Sequence, residues 1–482
     1  MRRISIIASI FIVSLPGLFS CKKLVTVAPP TTSIVSATAF STDASASAAI
    51  TGIYSRMMAG NNSTGFASGG QASVSFCGAL AADELVNYPQ GPTSPSVYLY
   101  TNSVPSSLPL TTSFWSEIYQ YIYTANVGLE GLADSSSGVS PAVRKQLTGE
   151  CKFIRAFCHF YLTTFFGNVP LITTSDYTKN QYASRAPQAD VFNQIVTDLT
   201  DAENLLNADY SAVQGGERVR PIKWAAAALL ARVYLYQGKW SNAVAQSSLV
   251  INSGQYALLS DLRTVFLKNS KETIWSLRPV FPNQNTMDAI SFILKAAPNT
   301  ALNNVTLSSQ LLTAFEAGDN RRTTWVDSII VTNANPALTQ TYYFAEKYRV
   351  TTAVNVPLTE YSMVLRLAEQ YLVRAEAETQ LNDLSDAAAD LNIVRSRAGL
   401  GGTTAATQAG MLTAVLHERQ TELFTEWGHR WLDLKRMHAA DSVMSVVCPQ
   451  KGGTWSSNWQ LWPIPLLEIQ SDYYLTQNPG YN

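Results

Sequence analysis

The sequence predicts a mainly α-helical chain, with helix pairs winding into a superhelix around one irregular, loop-rich insertion that holds a few short strands. Three observations carry this. Long segments repeat apolar residues at spacings of three and four, the period of one helix face. Two distant segments look like copies of a single helix–turn–helix unit. Strand-like runs are short and fall in residues 270–360, between the two copies.

Composition narrows the function before any motif does. The 482 residues carry 34 Lys and Arg against 35 Asp and Glu, a formal net charge of −1. No concentrated run of basic residues occurs, which argues against nucleic acid as the partner. Charged residues make up only 14%, below the roughly 25% of average domains. Ser, Thr, Asn and Gln therefore cover much of the surface. With 10 Trp, 22 Tyr and 18 Phe beside them, such a surface suits neutral ligands better than ionic ones.

The N-terminus reads as an export signal. Arg2 and Arg3 precede an apolar stretch, Ile4 to Leu15, that is shorter than the about 20 residues needed to span a bilayer. Leu18-Phe19-Ser20-Cys21 then resembles the lipobox of bacterial lipoproteins. The expected division is a signal peptide over 1–20, a lipid-anchored tether over 21–45 starting at Cys21, and one helical body over 46–482. Multiple acyl chains on Cys21 would anchor the chain firmly, where a single chain binds only marginally. The other cysteines, Cys77, Cys151, Cys158 and Cys448, form no C-x-x-C pair. Cys151 and Cys158 would stand roughly 10.5 Å apart on one helix, beyond the about 7 Å a disulfide allows. Buried free thiols are expected.

A first helix is expected over Ala44–Met58. Residues 59–110 are rich in Gly, Ser, Thr, Pro and Asn and read as loops. Phe114, Trp115, Ile118, Tyr119, Ile122 and Ala125 mark the next helix, and Glu150–Phe166 an apolar, aromatic one stopped at Gly167. Phe192, Ile195, Val196, Leu199, Ala202 and Leu206 form one stripe, with Asp190 placed as the cap. The two similar units follow, near 223–254 and 365–399. Ala231, Gly238, Ala243 and Val250 recur as Ala375, Asn382, Ala387 and Val394 at one constant offset. Small residues let paired helices approach, and Gly or Asn suits a turn with positive φ. The unit resembles the tetratricopeptide helix pair. Between the copies, Glu272–Leu277, Val326–Val331 and Tyr342–Tyr348 read as short strands.

Catalytic motifs fail on inspection. His417-Glu418-Arg419-Gln420-Thr421 lacks the second His of a zincin site. Gly399-Leu400-Gly401-Gly402 lacks the third Gly of a dinucleotide loop and follows a helix. Gly238-Lys239 is followed by Trp240, which breaks a phosphate-loop pattern, and no G-x-S-x-G elbow occurs. All four histidines are expected on helices without metal spacing, so neither metal nor cofactor is called for. Asp83-Glu84 is the one acidic pair in a loop-like setting that a glycosidase reading would need tested.

The order of several segments identifies a resemblance. Trp115–Asn126 (WSEIYQYIYTAN), Gly149–Leu171, Ala225–Tyr256, Arg366–Leu400, His417–Arg436 (HERQTELFTEWGHRWLDLKR) and Trp462–Tyr481 together resemble the SusD/RagB family of outer-membrane nutrient-binding lipoproteins. The resemblance implies a non-catalytic protein on the outer membrane, facing outward. It would capture an oligosaccharide and act as a lid on a TonB-dependent SusC-like transporter. Peptide capture on the same scaffold, a purely structural helix-repeat adaptor and a hydrolase with an unrecognised acidic pair are the competing readings. Arg395, Arg397, Glu418, Glu422, Arg430, Asp433 and Arg436 are expected to pair and tie the C-terminal helices to the repeats. Ligand contacts are expected on loops, with Tyr88, Tyr98 and Phe281 as platforms and Asp83 as a hydroxyl partner. Trp115 and Trp275 read as core.

Overall fold

The computed structural model describes residues 36–60, 64–88, 91–282, 284–298, 303–332, 339–351 and 357–481. Cys21, the expected leader and the tether up to residue 35 lie outside them. The end of the expected tether is packed against the body. Phe40 is buried against Gly131, where a Cβ would stand 2.2 Å from its ring. Thr42 then caps helix α1 (Asp43–Met58) in a reciprocal capping box with Ser45.

The stretch expected to be loops contains two helices. α2 (Val74–Ala81) is buried at every position, followed by strand β1 (Leu85–Asn87) and α3 (Pro95–Tyr100). Its Gly and Ser residues serve close packing as well as turns. Gly78 faces Gly428 so closely that a Cβ would lie 2.5 Å from the Gly428 Cα.

Two long helices, α4 (Pro109–Ala133) and α5 (Pro141–Phe166), form the first layer. From Phe153 to Phe166 every residue of α5 is buried, as expected of a helix apolar on all sides. Phe153 and Phe157 meet the Trp275 ring edge-on at 4.9 and 5.2 Å, so Trp275 is core, as is Trp115. α6 (Gln188–Leu205) lies against α5. Its cap differs from expectation: Pro187 takes that position without a side-chain bond, and Asp190 sits in the first turn.

The two similar units are helix pairs. α7 (Lys223–Tyr236) and α8 (Trp240–Ile251) turn at Gly238, φ 67°. Strand β2 (Thr273–Leu277), β3 (Val305–Leu307), the antiparallel pair β4 (Val326–Thr332) and β5 (Thr339–Ala345), and β6 (Ser362–Arg366) follow. The second pair, α9 (Leu367–Gln380) and α10 (Leu384–Arg397), turns at Asn382, φ 62°. α8 packs on α9, so the two pairs stack although the insertion separates them in sequence. β2 and β6 pair antiparallel, both wholly buried, and so close the base of the insertion. α11 (Gln408–Glu422), α12 (His429–Arg436) and α13 (Ala440–Gln450) complete the chain's larger elements. One apolar cluster runs from Ala39 to Leu475, joining the N-terminal helices, the insertion and the C-terminal segment.

A lattice of buried ion pairs fastens the C-terminal helices. Arg366 bonds Glu422 at 2.5 Å and Glu426 at 2.7 Å, while Arg321 bonds Glu418 at 2.6 Å and Glu422 at 3.0 Å. Arg397 joins Glu272 at 2.7 Å and also Glu422. Burial alone would raise the Glu422 carboxyl, but Arg397, Arg366 and Arg321 outweigh it and hold the group well below the usual range. The expected pairing of Arg395 with Glu418 and of Arg436 with Asp433 is present. Arg321, Arg366 and Glu272, all contributed from around the insertion, were absent from that expectation.

Candidate functional site

The short antiparallel pair β1–β3 positions the first candidate residue. Asn87 lies opposite Val305, and the next residue, Tyr88, donates its backbone N–H to the Asn304 carbonyl at 2.7 Å. This turns the Tyr88 ring toward β5, where it meets Tyr342 edge-on with centroids 5.8 Å apart and planes at 79°. Tyr100, at the end of α3, stands close by, with the Lys451 ammonium 4.8 Å from its ring centre. All three rings are half-buried, and burial raises the hydroxyls of Tyr88 and Tyr100. The result is a ledge of tyrosines on a rigid footing, partly wetted and partly apolar.

Beneath the ledge lies a chain of uncharged polar groups. Gln71 donates to the Asn304 side chain at 2.8 Å, and Asn304 reaches Asn87 and the Ser96 hydroxyl, each at 3.4 Å. The Asn87 Nδ2 is buried and has no protein partner. Such a donor costs free energy unless something supplies an acceptor. At the exposed edge the Tyr342 hydroxyl donates to Gln340 at 2.9 Å. Rings for stacking, amides for hydroxyl groups and, among the described residues of the ledge, no carboxylate together suit a neutral, polyhydroxylated ligand.

The other expected platforms stand apart from this pair. Tyr98 shares α3 with Tyr100, but two residues of helix turn it by about 200° to another side. Phe281 is 41% exposed on a separate loop, with no ring contact among the described residues. Tyr342 was missed because it meets Tyr88 only through long-range pairing, although the sequence places it in a strand. A second aromatic corner was also missed. Tyr474 contacts Tyr182 and Tyr473 edge-on at 5.7 and 5.9 Å, with Tyr473 94% exposed.

Asp83 is a correction. It is buried, and both its oxygens accept from Arg430, at 2.6 and 2.7 Å. No hydroxyl partner is presented there; the pair clamps the N-terminal layer to α12. Its neighbour Glu84 is buried too, and burial, followed by the Asp83 charge, pushes its carboxyl up to about 8. The acidic pair therefore faces no cleft. Cys77, Cys151, Cys158 and Cys448 are free and buried, as expected. His438 departs from the helical expectation, lying past α12 at φ 55°. Glu316, His417 and Glu418 bring ligand atoms within 4.8 Å of one another. Arg395 and Arg321 already occupy those carboxylates, and His417 Nε2 bonds the Ala314 carbonyl at 2.7 Å, so the group is an ion-pair junction. Among the described residues no helix is long and apolar enough to cross a membrane.

Two family models match the chain, one described as "Starch-binding associating with outer membrane" over residues 95–235 and one as "SusD family" over residues 316–481. The chain belongs to the SusD/RagB family. SusD-like protein P25 of Formosa agariphila is 26% identical, over 76% of this chain and 78% of its own. A solved laminarin-binding SusD-like protein is 26% identical, covering 91% of this chain and 99% of its own with a TM-score of 0.74. A SusD superfamily structure from Bacteroides thetaiotaomicron superposes with a TM-score of 0.75 at 24% identity, over 91% and 100% of the two chains. The helix-pair superhelix is thus the SusD-like fold.

Proposed function

We propose that this SusD-like protein captures a neutral oligosaccharide on the tyrosine ledge and delivers it, unaltered, to a TonB-dependent SusC-like transporter. In this reading the leader over 1–20 is removed and a lipid on Cys21 holds the protein on the outer face of the outer membrane. The single observation that carries the ligand class is the Tyr88–Tyr342 ring pair over buried amides, with the Asn87 donor left open. A sugar's C–H face stacks on a ring, and its hydroxyls bond amides. Half-buried rings on a protein surface suit an extended oligomer gripped by several modest contacts. The laminarin-binding relative lends support to a glucan-like cargo.

The acids Asp83 and Glu84, next to β1 in sequence, are buried and Asp83 is held by Arg430, which supports delivery without bond cleavage. The experiment is calorimetric titration of the soluble chain with neutral glucan oligosaccharides, laminarin-derived ones included, with product analysis of the same mixtures. Binding without new products supports the reading. New products would turn it toward a hydrolase, and selective binding of peptides toward peptide capture. Recovery of the transporter with the native protein from solubilised membranes tests the partner.

A further inference from the structure

A cavity of about 450 Å³ opens away from the ledge, between the ends of α5 and α7, the start of α6, α12 and residues 457–461. Its size is that of a small-molecule site. Phe192 and Leu461 give it apolar walls, and two groups in its lining lack what their chemistry asks for. The Tyr236 hydroxyl is buried without a hydrogen-bond partner. The Lys435 ammonium donates to the Thr164 carbonyl at 2.5 Å and otherwise lies 5.8 Å from the centres of the Phe165 and Trp431 rings. No carboxylate pairs with it among the described residues, whereas its neighbour Arg436 is matched by Glu376 and Asp433.

An ammonium with donors to spare and an unpartnered hydroxyl, lining one cavity, call for an anionic acceptor. We propose that this cavity binds a small carboxylate-bearing molecule of monosaccharide size, its carboxylate on Lys435 and a further oxygen on Tyr236. Burial pushes the empty Lys435 ammonium down to about 7, a desolvation that a bound carboxylate would offset. Phe192, Leu432 and Leu461 offer apolar contact to the ligand's body.

The test is titration of the whole chain with glucuronate, succinate and glucose. Glucuronate is expected to bind, and glucose at least about tenfold more weakly, because it lacks the charge-assisted contact. Succinate binding as tightly as glucuronate would assign the site to simple acids; weaker succinate binding would assign it to sugar acids. Both keep the carboxylate. Tyr236→Phe is expected to melt no lower than the parent, since it removes an unpartnered buried group, yet to bind glucuronate severalfold more weakly. Lys435→Gln is expected to abolish binding, and Tyr236→Phe decides the matter if that variant does not fold. Failure of both carboxylates to bind at millimolar concentration, glucose binding equal to glucuronate, or unchanged affinity in Tyr236→Phe would overturn the proposal. So would loss of glucuronate binding in Tyr88→Ala, which would move the acid to the ledge.

Discussion

Arg232 and Glu369 form a two-pronged ion pair, Nε to Oε1 at 2.6 Å and Nη2 to Oε2 at 2.7 Å, with each side chain only 1% exposed. One residue belongs to the first helix pair and the other to the second, so this contact welds the superhelix across the insertion. Removing one partner leaves the other charge buried and alone. Glu369→Gln or Arg232→Met is expected to cost about 3–5 kcal/mol in urea unfolding. Replacing both by apolar residues is expected to recover much of that loss, because the desolvation of both charges is removed together.

Gly78 and Gly428 set the distance between α2 and the start of α12. An alanine at 78 has nowhere to place its methyl group except into the facing backbone. Gly78→Ala is expected to destabilise by about 1–3 kcal/mol, the range for overpacking a full core. Gly52→Ala, where a Cβ meets nothing within 4 Å, serves as the control and is expected to be neutral or better in the same denaturation series.

Glu84 gives the protein a pH signature. Its carboxyl is pushed up to about 8 in the fold against an ordinary value of 4.5. Between those values the native state holds a proton that the unfolded chain has lost, so this group's contribution is full below pH 4.5 and falls as pH rises toward 8. Lys451, lowered to about 7, acts the other way, but only above pH 7. The comparison therefore belongs between pH 5 and 7. Over that window the stability of Glu84→Gln, measured relative to the parent by chemical denaturation, is expected to rise with pH.

The scaffold was legible in the sequence where a local rule governs it. Gly238 and Asn382 occupy positive-φ turns because the residue types permit it, and the two units match position by position around them. Residues 59–110 misled because the Gly and Ser that mark loops also permit tight contact, so the buried helix Val74–Ala81 read as punctuation. The site was legible only by half. Tyr88 declares itself as an aromatic residue in a loop, but Tyr342 joins it from beyond the long N-terminal helices and the first helix pair, and no period encodes that. Asp83 misled for a related reason. Its partner Arg430 lies in the C-terminal helices, and nothing near position 83 in the sequence shows that the carboxylate is already bound.

The most direct test is the affinity of laminarin oligosaccharide for the parent, Tyr88→Ala, Tyr342→Ala and Tyr473→Ala, measured by calorimetry beside the melting temperature of each. The expected result is binding by the parent, a loss of about tenfold in each ledge variant, corresponding to about 1.4 kcal/mol, and little change in Tyr473→Ala, with both ledge variants folded and melting cooperatively at or somewhat below the parent's temperature. The contradicting result is parental affinity in both ledge variants, or no binding of any neutral oligosaccharide by the parent.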